Sequence, residues 1–165
     1  MPAATRITPF LWFAHEAEEA AALYTSIFPN SRITNVARYG ETGEEVTGGT
    51  PGSVMTVSFE LDGQPFVALN GRAGFDFTEA VSFQVACASQ AELDHFWDRL
   101  SAGADPAAQQ CGWLKDRFGV SWQVVPTRLF ELLADPDPGK AERTTTAMLA
   151  MKKLDIAELE RAHAG

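Results

Sequence analysis

Two stretches of the chain follow one design, an apolar strand running into an amphipathic helix. In the first, ITPFLWFAHEAEEAAALYTSIF, residues Ala20, Leu23, Tyr24, Ile27 and Phe28 recur at helical spacing. In the second, AVSFQVACASQAELDHFWDRL, Leu93, Phe96, Trp97 and Leu100 do the same. Such spacing gathers apolar side chains into one stripe along a helix. Ser89 and Glu92 in SQAE form a capping box that predicts where the second helix starts.

Strands follow each helix. After the first come SRITNVARYG, SVMTVSFELD and PFVALNG, the last two joined at Asp62-Gly63, a hairpin signal. ETGEEVTGGTPG, between the first two, reads as a mobile loop. After the second helix come the loop SAGADPAAQ and two strands, QQCGWLKD and GVSWQVVPT. The pattern is βαβββ twice, the second copy compressed, at an offset of about 75 residues. From Arg128 the chain reads as helices, with Asp137 as N-cap before Pro138, a second cap pattern at Asp155–Glu158, and an apolar stripe of Ala147, Met148 and Met151. The expected organisation is a single domain over 1–165: module one at 5–74, module two at 78–127 and C-terminal helices at 128–163.

Alternate strand residues face opposite sides of a sheet. In AVSFQVAC, Val81, Phe83, Val85 and Cys87 form an apolar face opposed by Ser82, Gln84 and Ala86. In PFVALNG, Val67 and Leu69 oppose Ala68 and Asn70; in GVSWQVV, Trp122 and Val124 oppose Ser121, Gln123 and Val125. With the helices covering the apolar faces, Asn70, Ser82, Gln84, Ser121 and Gln123 would share the other surface. A solvated face usually carries Lys, Glu and Arg. Small neutral hydrogen-bonders describe a half-buried pocket wall better, although a structural polar layer has the same composition. ITPFLWF is apolar on both faces. We place Pro9, Leu11 and Phe13 on the pocket wall and Phe10 and Trp12 under the helices; alternation alone fits the reverse equally well. Trp97 and Trp122 read as core, and Trp113, beside a glycine in a strand, as a pocket residue.

The composition narrows the function classes. A net charge of −9 in 165 residues argues against nucleic acid and anionic membrane surfaces, which need clustered Lys and Arg. The two cysteines, Cys87 and Cys111, fit neither a disulfide framework nor a zinc spacing and point to reduced thiols in a cytoplasmic protein. The N-terminal apolar run is too short for a membrane span.

The segments ITPFLWF, AEEAAALYTSIFPNSRI, FELDGQPFVALNG, EAVSFQVAC, CGWLKDRFGVSWQVVP and AMLAMKKLDIAELERA together resemble the vicinal oxygen chelate superfamily of glyoxalases, bleomycin-resistance proteins and dioxygenases. The nearer likeness is to its PhnB-like branch, labelled 3-demethylubiquinone-9 3-methyltransferase-like. The resemblance implies an α+β fold, two βαβββ modules forming a curled mixed sheet around a cleft, commonly as a homodimer. It implies four inward metal-ligand positions, which here read Pro9, Ala68, Ser82 and Gln123. Pro9 and Ala68 have no donor side chain, and one neutral amide does not hold a divalent ion. No cofactor and no bound divalent metal are therefore expected. The glycines of ETGEEVTGGTPG lie between two strands and precede no helix, which is not the setting of a nucleotide fingerprint.

Acid–base chemistry would need a titratable group at the site. Glu79 flanks the strand carrying Ser82, and Cys111 precedes Gly112; these are the weak catalytic candidates. His15 sits between strand and helix, His95 on a helix and His163 near the C-terminus, and all three read as structural or solvated. The expected activity is binding of a small organic molecule in a mainly neutral pocket lined by Phe13, Asn70, Ser82, Gln84, Trp113, Ser121 and Gln123. The alternatives are an isomerase, lyase or transferase, or a drug- or toxin-sequestering protein.

Overall fold

A computed structural model describes residues 6–41, 47–72 and 74–165. The chain divides into two compact units, Met1–Asp76 and Phe77–Gly165. Part of the glycine-rich loop, residues 42–46, lies outside the described residues.

The first unit runs β1 (Phe10–Phe13), α1 (Ala17–Ile27), β2 (Arg32–Arg38), β3 (Val54–Leu61) and β4 (Gln64–Asn70). Its sheet has the order β1-β4-β3-β2, with β1 parallel to β4 and the other pairs antiparallel. Asp62 and Gly63, at φ +47° and +79°, make the turn between β3 and β4, both in the left-handed region a two-residue I′ turn requires. Helix α1 buries Ala17, Ala20, Ala21, Tyr24 and Ile27. Its alanines let the helix lie close on the sheet, where Tyr24 meets Phe59 and Phe59 stacks on Phe66 at 5.5 Å.

The second unit runs β5 (Phe83–Cys87), α2 (Gln90–Leu100), β6 (Trp113–Lys115) and β7 (Ser121–Pro126), then α3 (Thr127–Leu133), α4 (Pro138–Ala150) and α5 (Ile156–Ala164). Its sheet, β5-β7-β6, repeats the order β1-β4-β3 without the edge strand β2. Where the first unit has β2, this one has a single 3₁₀ turn, Pro106–Ala108. Helix α2 buries Leu93, Phe96, Trp97 and Leu100, and its capping box forms: Ser89 accepts from Glu92 N at 3.2 Å and Glu92 from Ala88 N at 2.7 Å.

The strand expected at QQCGWLKD is shorter than its apolar pattern implies. Cys111 and Gly112, at φ +42° and +86°, form a turn, and only residues 113–115 pair with β7. The turn survives because the tail takes its donors: Cys111 N–H bonds to Met151 O at 2.7 Å and Gly112 N–H to Lys152 O at 2.8 Å.

The tail helices belong to the core of the second unit. Leu129, Leu132, Leu154 and Leu159 are buried. The Gln90 amide on α2 donates to Leu154 O at 3.1 Å and accepts from Ile156 N at 2.9 Å. Lys153 reaches Asp94 of α2 at 3.0 Å; hydrogen bonding from Gln90, then from Lys153, lowers the Asp94 pKa. His163 lies between the buried Thr144 hydroxyl (Nδ1, 3.1 Å) and the Asp135 carboxylate (Nε2, 3.1 Å), joining α5 to α4. Among the described residues no helix is long and apolar enough to cross a membrane.

Candidate functional site

Each sheet has one buried apolar face and an opposite face of mixed exposure. In the first unit the parallel register pairs Leu11 with Ala68 and Phe13 with Asn70, and Val57 with Ala68 on the next strand. Leu11, Phe13, Val57 and Ala68 are all buried, on the face that α1 covers. Phe10 and Trp12 are 62% and 41% exposed. The expected assignment of β1 and β4 is thus reversed. Phe13 is a core residue and Ala68 lies beneath α1. Pro9 falls on the same side by alternation, its carbonyl accepting from Val67 N. The open face carries Phe10, Trp12, Val67, Leu69, Thr56 and Ser58. Trp12 packs at 5.0 Å from Phe75, and its indole fits over Gly71, where a Cβ would lie 2.8 Å from it.

Asn70 has a structural task on the helix side. Its Oδ1 accepts from Ala17 N at 2.9 Å and its Nδ2 donates to Val54 O at 3.1 Å. The residue at the N-cap of α1, Glu16, makes no side-chain cap. A strand amide therefore satisfies one of the donors that a helix start leaves unpaired. Asn70 also borders a cavity of about 480 Å³ with His15, Glu18, Arg38 and Tyr39. Asn70→Ala is expected to destabilise the first unit by about 1 kcal/mol, read as a lower urea midpoint with faster hydrogen exchange at Ala17.

In the second unit the registers Gln84↔Gln123, Trp113↔Gln123 and Lys115↔Ser121 place these side chains on one open face. Ser82, one residue before β5, continues it beside Ser121. Opposite are Val85, Cys87, Leu114, Trp122 and Val124, all buried. Gln123 Nε2 donates to Ser82 Oγ at 2.9 Å. Gln84 is exposed, and Trp113 and Gln123 are half-buried. Ser121 is only 2% exposed, and its Oγ has no hydrogen-bond partner.

The two catalytic candidates are both found in structural contacts. The Glu79 carboxylate pairs with the Lys115 ammonium at 2.5 Å, and that hydrogen bond holds it below the usual carboxylate range. A carboxylate so held is a weak base, because proton acceptance would break the pair. Cys111 sits in the strained turn that docks the tail. Burial pushes the Cys87 thiol up to about 11, with Glu92 adding to the shift, which disfavours its reactive thiolate. His95 is exposed, and His15 borders the cavity in the first unit.

One important residue was not legible as such. Asp116 is 3% exposed, and its carboxylate accepts from Phe118 N (2.8 Å), Val120 N (3.1 Å) and Trp122 Nε1 (2.9 Å). It closes the loop from β6 to β7 and ties that loop to the Trp122 side chain. The available signal was an Asp three residues before a Gly, an ordinary turn opening.

A divalent metal does not fit these open faces. On β1 and β4 the outward positions are Phe10, Trp12, Val67 and Leu69, none with a ligand atom. On the second sheet the donors are neutral hydroxyls and amides, where hard cations call for carboxylates and borderline ones for imidazole or thiolate. Among the described residues no group of three or more His, Cys, Asp or Glu could hold a metal ion.

A βαβββ unit closed by a parallel first strand, followed by a shortened copy, defines a glyoxalase-like fold. The chain is similar in structure to a glyoxylase/bleomycin resistance protein/dioxygenase domain from Frankia sp. EAN1pec, at 15% identity and a TM-score of 0.50, covering 75% of this chain and 93% of that one. A profile of the 3-demethylubiquinone-9 3-methyltransferase family matches residues 5–125, and the chain belongs to that PhnB-like family. The PhnB protein from Bacillus cereus is 35% identical with a TM-score of 0.64, the match covering 74% of this chain and all of that one. Protein PA1353 from Pseudomonas aeruginosa has the same fold at 19% identity and a TM-score of 0.60, over 74% and 98% of the two chains. No match is found among curated proteins.

Proposed function

We propose that the protein binds a small organic molecule against the open face of the second sheet, without a tightly bound divalent metal. The observation that carries this reading is the set of neutral hydrogen-bonders on that face, Ser82, Gln84 and Gln123, beside the half-buried Trp113. Neutral hydrogen-bonders flanked by an aromatic ring suit the wall of a small-molecule site better than a solvated charged face does. The protein acts as a cytoplasmic homodimer with a small-molecule ligand, and its acidity disfavours nucleic acid or anionic membranes as partners. A binding or sequestering role needs no titratable group on the face, and Glu79 is already engaged with Lys115. The methyltransferase activity in the family's name would require S-adenosylmethionine to bind.

The test is metal analysis of the purified protein, followed by a thermal-shift screen of divalent metals, S-adenosylmethionine and small aromatic compounds. A stoichiometric divalent metal would sink the metal-free reading, and a clear shift with S-adenosylmethionine would favour the transferase. For any compound that stabilises the protein, Gln123→Ala is expected to weaken binding about five-fold, the value of one ordinary hydrogen bond. Unchanged affinity would make Gln123 a scaffold residue.

A further inference from the structure

We infer that Asn70 is a deamidation site which the first unit shields while folded and exposes on opening, and that the modified chain does not rebuild the native end of its sheet. The chain has three asparagines, Asn30, Asn35 and Asn70, and only Asn70 is followed by a glycine. Glycine has no Cβ to hinder its nitrogen from attacking the preceding side chain.

Two separate demands bring this labile pair together. Position 70 needs an acceptor for Ala17 N–H and a donor for Val54 O, and a carboxamide supplies both. Position 71 needs a residue without a Cβ, because that atom would lie 2.8 Å from the Trp12 indole. The capping of α1 and the seating of Trp12 thus leave Asn-Gly at the end of β4, a strand paired on both sides.

The fold keeps the reacting atoms apart. Gly71 N–H donates to Phe13 O at 3.0 Å, and the Tyr39 hydroxyl donates to Asn70 O at 2.5 Å. The side-chain amide is bonded at both ends, at 2.9 and 3.1 Å. Ring closure needs the Gly71 nitrogen at Asn70 Cγ, so the Gly71 and amide bonds have to break first. It therefore waits for this end of the sheet to open.

Once open, the Gly71 nitrogen gives its proton to solvent base and attacks Cγ. A succinimide closes, and the side-chain nitrogen takes up a proton and leaves as ammonia. Water then adds to one ring carbonyl. Cleavage of the new bond gives aspartate; cleavage of the original peptide bond gives isoaspartate, with the chain running through the side chain. Neither product fits. An ionised aspartate has only acceptors and leaves Val54 O facing an oxygen. Isoaspartate adds a methylene to the main chain ahead of Gly71 and turns the carbonyl that Tyr39 holds into a free carboxylate.

The test holds the full chain in mildly alkaline buffer, with and without urea above its unfolding transition, and follows each asparagine by peptide mass. In urea, Asn70 is expected to convert about ten-fold faster than Asn35, and Gly71→Ala, measured there because folding is not required, to slow it by about the same factor. Without urea, conversion at Asn70 is expected to be at least about ten-fold slower than in urea. Returned to buffer, the converted fraction is expected to show a lower urea midpoint and faster hydrogen exchange at Ala17 than the unconverted one. Equal rates at Asn70 with and without urea would overturn the shielding. Conversion in urea no faster than at Asn35, or indifferent to Gly71→Ala, would overturn the site. A converted chain with the native midpoint and native protection at Ala17 would overturn the lasting damage.

Discussion

Asp116→Ala is expected to lower the unfolding free energy of the second unit by about 3 kcal/mol. The carboxylate accepts three hydrogen bonds in a buried loop, two from the main chain and one from the Trp122 indole. Bonds to a charged acceptor are worth more than neutral ones, and truncation leaves the indole N–H buried without an acceptor. Asp116→Asn is expected to recover only part of the loss. One end of its amide still accepts from Phe118 and Val120, but the other presents N–H groups to the Trp122 N–H. Urea unfolding followed by tryptophan emission measures the effect, and hydrogen exchange at Phe118 and Val120 localises it. A loss below about 1 kcal/mol would mean that the loop is held by other contacts.

The second large effect is expected at Leu154. Leu154→Ala should cost about 3 kcal/mol, within the range for emptying a buried leucine site. The side chain is fully buried, and it packs where a Cβ on Gly112 would lie, 3.1 Å from its Cδ1. Leu149→Ala on α4, at a side chain 53% exposed, should stay within about 0.5 kcal/mol. If the two variants unfolded at the same urea concentration, the tail would be an appendage and not part of the second unit's core. The profile match ends at residue 125, before the tail begins, so this contrast tests a part of the chain beyond the matched residues.

Helices α1 and α2 were readable in the sequence because each carries a single apolar stripe, and the side chains of α2 pack as their spacing predicts; on α4 the buried residue is Thr144, while Ala147 and Met148 are half-buried and Met151 follows the helix end. The faces of β5 and β7 were readable for a related reason: their alternation is clean, and neutral polar residues fall on one side only. The face of β1 was not readable. Phe10, Leu11, Trp12 and Phe13 are all large and apolar, so only pairing with β4 decides which of them point at α1. Asn70 misled because an amide at a strand end looks like a wet position, whereas here it caps a helix more than fifty residues away in sequence. The strand predicted through Cys111 failed on a long-range cause too, because the turn there is stabilised by residues forty positions later. The site residues of β7 could be placed on a face, but the missing partner of Ser121 becomes apparent only with coordinates.

The junction at Cys111 and Gly112 has a consequence for how the tail can drift in sequence. Its two hydrogen bonds run from main chain to main chain, into the carbonyls of Met151 and Lys152. Side chains at 151 and 152 can therefore vary widely while the attachment persists. The constraint falls instead on the receiving turn, where Gly112 has no room for a side chain and sits in a left-handed conformation, and on the leucine two residues past Lys152. In a relative that ends after β7, nothing would receive those two amide hydrogens except water. Such a chain would be free to run straight through the turn as an uninterrupted strand, and a longer β6 would then restore the edge pairing that this protein has exchanged for its tail.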